Sequence, residues 1–155
     1  MKKQGCVAVV CLGLAAGLCQ AQGVNFTGMW KLNVEKSRWG KKQKPNSITI
    51  EIDHREPAFK YHGTVVDAQG DGRDFAFEGI LDGKAYLYQS AHREGTIRVQ
   101  RVDSRTVSSV FRSADGRVEE TATARLSRGG KVLTYQIRLK DPSGEMSWTE
   151  VYEKK

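Results

Sequence analysis

The chain has 155 residues, of which 39% are hydrophobic and 28% charged, and its formal net charge is +7. This length indicates one domain that is large enough to bury a substantial core, and the sequence shows no internal repeat, low-complexity tract or second domain. The positive charge would suit a nucleic-acid partner, but acidic and basic residues alternate through most of the chain, as in residues 51–56. We therefore expect no nucleic-acid partner and interpret the charge as a solvated surface.

The beginning of the chain has the features of an export signal. Lys2 and Lys3 form a basic start, Cys6–Cys19 is an apolar run, and small residues precede the point after Ala21 where a signal peptidase would cut. The apolar run is shorter than the about 20 residues that a membrane-spanning helix requires. We predict a signal peptide over residues 1–21 and an exported protein, located in the periplasm or outside the cell.

All three cysteines, Cys6, Cys11 and Cys19, lie within this signal. The mature domain, residues 22–155, therefore has no disulfide, and its core must stabilise it. Lipid attachment at Cys19 is a less favoured alternative, because Leu18 stands where that processing normally requires a small residue.

The most basic segment follows the first predicted strand. Residues 34–47 lack strand alternation and predict a loop, or one helical turn and a loop, that caps one end of the domain. The segment contains Trp39 among its charges. Its basic residues give an alternative function, an interaction module that contacts an envelope surface or a protein through Arg38, Lys41, Lys42 and Lys44.

Alternation of apolar and polar residues recurs through the rest of the mature chain. It is clearest at Ile48–Ile52, Phe59–Tyr61, Phe75–Phe77, Ile97–Val99, Leu133–Leu139 and Met146–Tyr152. Turn-forming residues punctuate these segments at 69–72, 82–84, 115–117, 129–131 and 142–144. The pattern predicts an all-β domain with about eight to ten strands in an antiparallel up-and-down meander, closed into a β-barrel so that no edge is exposed.

The two ends of the mature chain resemble a known barrel superfamily. Gly28 and Trp30 form a G-x-W motif within Phe26–Asn33, and such a motif before a meander resembles the calycin superfamily of lipocalins, fatty-acid-binding proteins and avidins. Gly28 allows close backbone approach, and Trp30 is large enough to fill the closed end of a small barrel. Glu150–Lys154 is similar to the last strand of fatty-acid-binding proteins, which reads Arg-x-Tyr followed by Glu-Lys.

The chain also departs from fatty-acid-binding proteins. That family is cytosolic and has a helical lid after its first strand, whereas this chain has a predicted export signal and too few residues there for two helices. Where the family uses Arg and Tyr to hold a ligand carboxylate, this chain has Glu150 and Tyr152, so we do not expect a carboxylate held in that way. The whole pattern is most similar to bacterial lipocalin-like proteins, for which the resemblance implies a barrel and no particular ligand.

Glu150 has two possible orientations. If it faces inward beside Tyr152, it needs a partner, for which Arg125 and Arg138 are candidates, and it would anchor a cationic or hydroxyl-bearing ligand. A slip of one residue would instead place Val151 inward and Glu150 in water. We favour the second orientation, because a buried carboxylate is costly.

Metal and catalytic sites have little support in the sequence. The spacing of His54, His62 and His92 favours surface or strand-end histidines over a metal site, and we expect no metal and no cofactor. The mature chain contains no G-x-S-x-G motif, no H-E-x-x-H motif and no cysteine. A binding protein is therefore favoured, and an enzyme that uses a barrel cavity is the less favoured alternative.

Aromatic residues on the predicted inner face provide the candidate ligand site. We predict an exported monomer that binds a small, mostly apolar or amphipathic molecule inside the barrel, although the same side chains could simply fill a core. The candidate binding residues are Tyr61, Phe75, Phe77, Tyr88, Tyr135, Trp148, Glu150 and Tyr152, with Gly28 and Trp30 as structural residues at the barrel end.

Overall fold

The computed structural model describes residues 25–90 and 93–155, which form ten β-strands. The strands are β1 (Gly28–Leu32), β2 (Ser47–Arg55), β3 (Ala58–Val66), β4 (Gly72–Ile80), β5 (Asp82–Ser90), β6 (Arg93–Asp103), β7 (Thr106–Ser113), β8 (Glu119–Leu126), β9 (Val132–Asp141) and β10 (Gly144–Lys154). The predicted signal peptide, the cysteines and His92 lie outside the described residues. Within the described part, no helix is long and apolar enough to cross a membrane.

All ten strands belong to one antiparallel sheet in the order β4-β3-β2-β1-β10-β9-β8-β7-β6-β5. The first strand, β1, pairs with both β2 and the last strand, β10. Every strand pairs with its neighbour in sequence except β4 and β5, so the sheet curls into a barrel that is nearly closed. The predicted all-β meander and barrel are confirmed, and the opening between β4 and β5 is the exception to full closure.

The strands form because their apolar residues alternate with polar ones and all the apolar residues can face one interior. In β2, Ile48, Ile50 and Ile52 are buried, whereas Glu51 between them is exposed. The register continues this pattern across the sheet, because Ile50 lies opposite Trp30 of β1. Alternation with a period of two therefore places one set of side chains inside the barrel.

Consecutive antiparallel strands send their connections alternately to the two ends of the barrel. We call the loop end the one that contains the connections β1–β2, β3–β4, β5–β6, β7–β8 and β9–β10. The closed end is the opposite one, where β1 begins and β10 finishes. The two ends are filled differently, and this difference positions the candidate site.

Apolar side chains fill the closed end. Trp30 is completely buried, and its Nε1 donates a hydrogen bond of 2.9 Å to the Phe26 carbonyl oxygen. The ring of Phe26 packs edge-on against Phe59, with centroids 6.0 Å apart. Gly28 precedes Trp30 with a φ of 144°, a conformation that favours glycine, so the G-x-W motif serves both backbone geometry and packing.

The segment between β1 and β2 is a loop, as the sequence predicted. It turns at residues 34–36 and then forms an isolated bridge in which Arg38 and Thr149 exchange two backbone hydrogen bonds of 2.8 Å. This bridge fastens the loop to β10. The rest of the loop consequently lies across the loop end of the barrel.

One predicted turn was wrong. Residues 82–84 lie within the start of β5, and the chain reverses direction one residue earlier, at Leu81. Gly83 has a φ of 73°, and the pairing of β5 with β6 shifts register between Asp82 and Ala85. The Asp-Gly pair therefore marks a bulge at a strand end, where positive φ is also required.

Candidate functional site

A cavity of about 640 Å³ occupies the barrel interior between the apolar closed end and the loop end. Its walls combine apolar side chains of the strands with polar and charged ones. The apolar and aromatic lining residues include Ile48, Ile50, Tyr61, Val65, Phe75, Tyr88, Ile97, Phe111, Tyr135, Ile137, Trp148 and Tyr152. The polar lining residues include Lys42, Lys44, Asp67, Arg73, Asp74, Arg93, Ser109, Glu120 and Glu150.

The structure brings most of the predicted binding residues to this one cavity. Those that line it are Tyr61, Phe75, Tyr88, Tyr135, Trp148, Glu150 and Tyr152. Phe77 does not line it, because its ring is buried in the barrel wall against Tyr61 and Tyr86, at centroid distances of 5.5 and 6.0 Å. Gly28 and Trp30 lie at the closed end, outside the cavity lining.

Glu150 faces the interior, so the orientation favoured from the sequence was wrong. Its side chain is buried, with 7% relative exposure. Oε1 accepts a 2.8 Å hydrogen bond from Trp148 Nε1, and Oε2 accepts a 2.7 Å bond from the Tyr152 hydroxyl. The pairing of β10 with β9 runs without a register shift, so no bulge turns Glu150 outward.

Burial raises the pKa of Glu150, and the hydrogen bonds from Tyr152 and Trp148 and the charge of Lys42 oppose that rise. The predicted partners of the carboxylate, Arg125 and Arg138, are both exposed, and Arg138 pairs instead with Glu145 at 3.3 Å. The prediction of an arginine partner was therefore wrong. Two neutral donors hold the carboxylate in place.

The hydroxyls of Tyr61 and Tyr135 have no hydrogen-bond partner among the described residues. Burial raises the pKa of both hydroxyls, so both remain protonated at neutral pH. Because both tyrosines line the cavity, they supply hydrogen-bonding groups to anything bound there.

The cavity wall contains an ion pair that was not predicted from the sequence. Arg93 Nη1 lies 2.9 Å from Glu120 Oε2, and the guanidinium lies 4.1 Å from the ring centroid of Phe111. Strand parity could have identified both residues, because Arg93 alternates in step with Ile97, and Glu120 with other inward residues of β8.

The loop between β1 and β2 covers part of the cavity. Lys42 Nζ lies 4.4 Å from the centroid of the Trp148 ring, and Lys44 forms a 3.1 Å ion pair with Glu35. Trp39 is half-buried, and its Nε1 donates a 3.4 Å hydrogen bond to the Val34 carbonyl oxygen. Of the loop's predicted contact residues, Lys42 and Lys44 therefore line the cavity.

The histidines are dispersed. His54 is at a strand end as predicted, but it is buried, because it packs against Phe26 and Phe59 with ring centroids 5.6 and 5.4 Å away. Burial lowers the pKa of His54, and Glu56 opposes this shift. His62 is exposed. In the described part of the chain, no three His, Cys, Asp or Glu side chains are grouped so that they could hold a metal ion.

The barrel is similar to several solved structures, although no family model and no curated protein matches the chain. A zebrafish ileal bile acid-binding protein complexed with cholic acid has a TM-score of 0.58 and 12% identity, covering 84% of this chain and 98% of that one. A single-residue mutant of the fluorescent protein UnaG has a TM-score of 0.57 and 17% identity, with coverages of 83% and 95%.

A third similar structure is apo lipid binding protein 8 of Caenorhabditis elegans, with a TM-score of 0.55 and 15% identity, covering 84% of this chain and 95% of that one. The chain therefore has the nearly closed antiparallel β-barrel fold of these solved structures. Because all these identities are low, the similarity establishes the fold alone.

Proposed function

We infer that this protein binds a small, mostly apolar molecule inside its barrel. The observation that carries this proposal is the cavity of about 640 Å³, because a domain that only needed a core would fill this space with its own side chains. The volume lies within the range of about 300–1,000 Å³ that is typical of small-molecule sites.

The cavity walls support the same function. Tyrosine, tryptophan, phenylalanine and isoleucine side chains provide apolar surface, and burial of ligand surface against them contributes about 25 cal/mol per Å². Polar and charged side chains share the wall with these apolar ones, which suits a ligand that combines an apolar body with a polar end. Among the proteins of similar fold, one holds cholic acid and another, from Schistosoma mansoni, holds arachidonic acid.

Export is part of this proposal. The basic start and short apolar run of residues 1–21 support it, and they would place the carrier in the periplasm or outside the cell. Sequencing the amino terminus of the protein purified from its host would test the cleavage near Ala21. An uncleaved terminus would contradict it.

Titration with Nile red, a neutral apolar fluorophore, tests interior binding. Ser109 lines the cavity, so Ser109→Trp should fill the space and weaken Nile red binding by about tenfold or more. Ser108 is its neighbour on β7 and lies opposite the exposed residue Gln100, so Ser108→Trp adds the same ring on the outer face and should leave binding unchanged.

Equal affinities of the two variants, or no binding by the unaltered protein, would contradict the proposal. Native mass spectrometry of the protein from its own host gives an independent test. A bound mass that disappears on denaturation would support a carrier and would identify the class of its natural ligand.

A further inference from the structure

Glu150 is a buried carboxylate that only neutral groups satisfy. Each of its oxygens accepts one hydrogen bond, from Trp148 at 2.8 Å and from Tyr152 at 2.7 Å. No Lys, Arg or His of the described chain forms an ion pair with it. Because a carboxylate can accept about four hydrogen bonds, both oxygens keep free acceptor capacity.

Other cations that line the cavity are already paired with a carboxylate, whereas Lys42, whose charge acts on Glu150, lies over the Trp148 ring. Arg93 pairs with Glu120 at 2.9 Å, and Arg73 lies 3.7 Å from Asp67. A buried carboxylate with no ion-pair partner among the described residues favours a positively charged occupant, because the positive charge would offset the cost of burying the negative one.

Aromatic rings surround the same carboxylate. The rings of Tyr135 and Tyr152 have centroids 5.6 Å apart, and Trp148 donates directly to Glu150. The chain itself shows that this region accommodates an ammonium group, because Lys42 Nζ lies 4.4 Å from the Trp148 centroid. A cation here gains both from the carboxylate and from the negative faces of the rings.

We propose that the barrel selects amphiphiles whose polar end is a protonated amine, which binds Glu150 between the rings of Trp148, Tyr135 and Tyr152. This inference rests on the proposed function, since it names the head group of the ligand in the same cavity. A ligand carboxylate would meet the negative charge of Glu150, and a hydroxyl would donate a hydrogen bond without compensating that charge.

Arg93 provides the competing site, for a carboxylate. Its Nη2 is buried and has no hydrogen-bond partner in the described part of the chain. However, Glu120 already neutralises the guanidinium, which also lies over the Phe111 ring at 4.1 Å, so a ligand carboxylate at Nη2 would gain a hydrogen bond without an uncompensated positive charge. The structure therefore favours the amine at Glu150, and a carboxylate preference is the outcome that would overturn this inference.

Calorimetric titration with decylamine, decanol and decanoate near neutral pH tests the head group, because the three ligands share one tail. We expect decylamine to bind about tenfold or more tightly than decanoate, with decanol between them. Equal binding of decylamine and decanoate, or tighter binding of decanoate, would overturn the inference while leaving the proposed function intact. If decanol and the other two all fail to bind, the proposed function itself fails.

Glu150→Gln identifies the residue responsible. The ratio between the dissociation constants of decanoate and decylamine should fall toward one in this variant, and an unchanged ratio would overturn the assignment to Glu150. In case the variant does not fold, the indole N–H signals in NMR spectra of the unaltered chain provide the same information.

Decylamine should shift the Trp148 signal, because that N–H donates to Glu150, and should leave the Trp30 signal in place, because Trp30 donates to Phe26 at the closed end. A Trp148 signal that does not respond to decylamine, or that responds equally to decanoate, would contradict the proposal.

Discussion

The burial of Glu150 should reduce the stability of the barrel, and the same burial supports the proposed chemistry. A buried carboxylate with neutral partners costs folding free energy, whereas an apolar residue of similar size would not. The side chain lies where β10 lines the cavity, two residues from both Trp148 and Tyr152. A stability cost at a position of this kind is typical of a residue that contacts a ligand.

The pH dependence of stability should reveal this cost. The pKa of Glu150 is raised in the folded state above its ordinary value of 4.5, so between pH 4.5 and this raised pKa the folded protein holds a proton there that the unfolded chain has released. The contribution of Glu150 is therefore most favourable below pH 4.5 and becomes less favourable as the pH rises through the raised pKa.

We predict that the unfolding free energy of the unaltered protein, minus that of Glu150→Gln, decreases as the pH is raised from 4.5 toward 8. Urea denaturation at a series of pH values measures this difference directly. A difference that stays constant, or that increases with pH, would show that the carboxylate is not destabilised by burial.

At the scale of single strands, β3 depends on the absence of a side chain at Gly63. A Cβ built there would lie 2.5 Å from the Thr49 carbonyl oxygen of β2 and 2.5 Å from Cζ of Phe75 on β4. The backbone oxygen cannot move without disturbing the pairing of β2 with β3, in which Thr49 lies opposite Thr64. Gly63 thus allows three strands to pack closely.

Gly63→Ala should destabilise the protein by about 1–3 kcal/mol, as overpacking in a core does. Gly72→Ala is the matched control, because a Cβ at Gly72, at the start of β4, would meet no atom within 4 Å, and we expect a change within about 0.5 kcal/mol. Thermal or denaturant unfolding of the two variants makes the comparison. Equal effects would show that the space around Gly63 is not limiting.

The strands and most turns were predictable because their signals are local. Alternation in Ile48–Ile52 and the Asp-Gly pair at 115–116 each act within a few residues, and both lie where the sequence placed them. The opening between β4 and β5 was not predictable in this way. It depends on how far the whole sheet curls, which no single segment specifies.

The interior polar groups were harder to predict, because their surroundings come from distant parts of the chain. His54 has charged neighbours in sequence that suggest exposure, yet Phe26 and Phe59 bury it. Glu150 shares the parity of Trp148 and Tyr152, and only the unbroken register with β9 excludes the bulge that would turn it outward. The alternation of side chains along β10 therefore predicted the orientation of Glu150 correctly, whereas the free-energy cost of burying a charge did not.

Considered as a whole, the molecule divides into a filled half and an open half. Trp30 and its neighbours pack the closed end, and the cavity extends from the middle of the strands to the loop end. The loop between β1 and β2 spans this end and is fastened to β10 by the bridge between Arg38 and Thr149. Stability should therefore be determined largely by the closed end, and ligand binding by the cavity.

Trp30→Phe tests this division at the closed end. The variant keeps an aromatic ring but loses the hydrogen bond to the Phe26 carbonyl oxygen and part of the indole volume, so it should cost about 1–3 kcal/mol of unfolding free energy. Trp30 does not line the cavity, so the affinity for Nile red should stay within about twofold. Met29→Ala, at an exposed neighbouring position, should change neither quantity. Weaker Nile red binding by Trp30→Phe would show that the closed end and the cavity are coupled. A loss of stability without a change in Nile red affinity would show that one end of the barrel maintains the fold while the other accommodates a ligand.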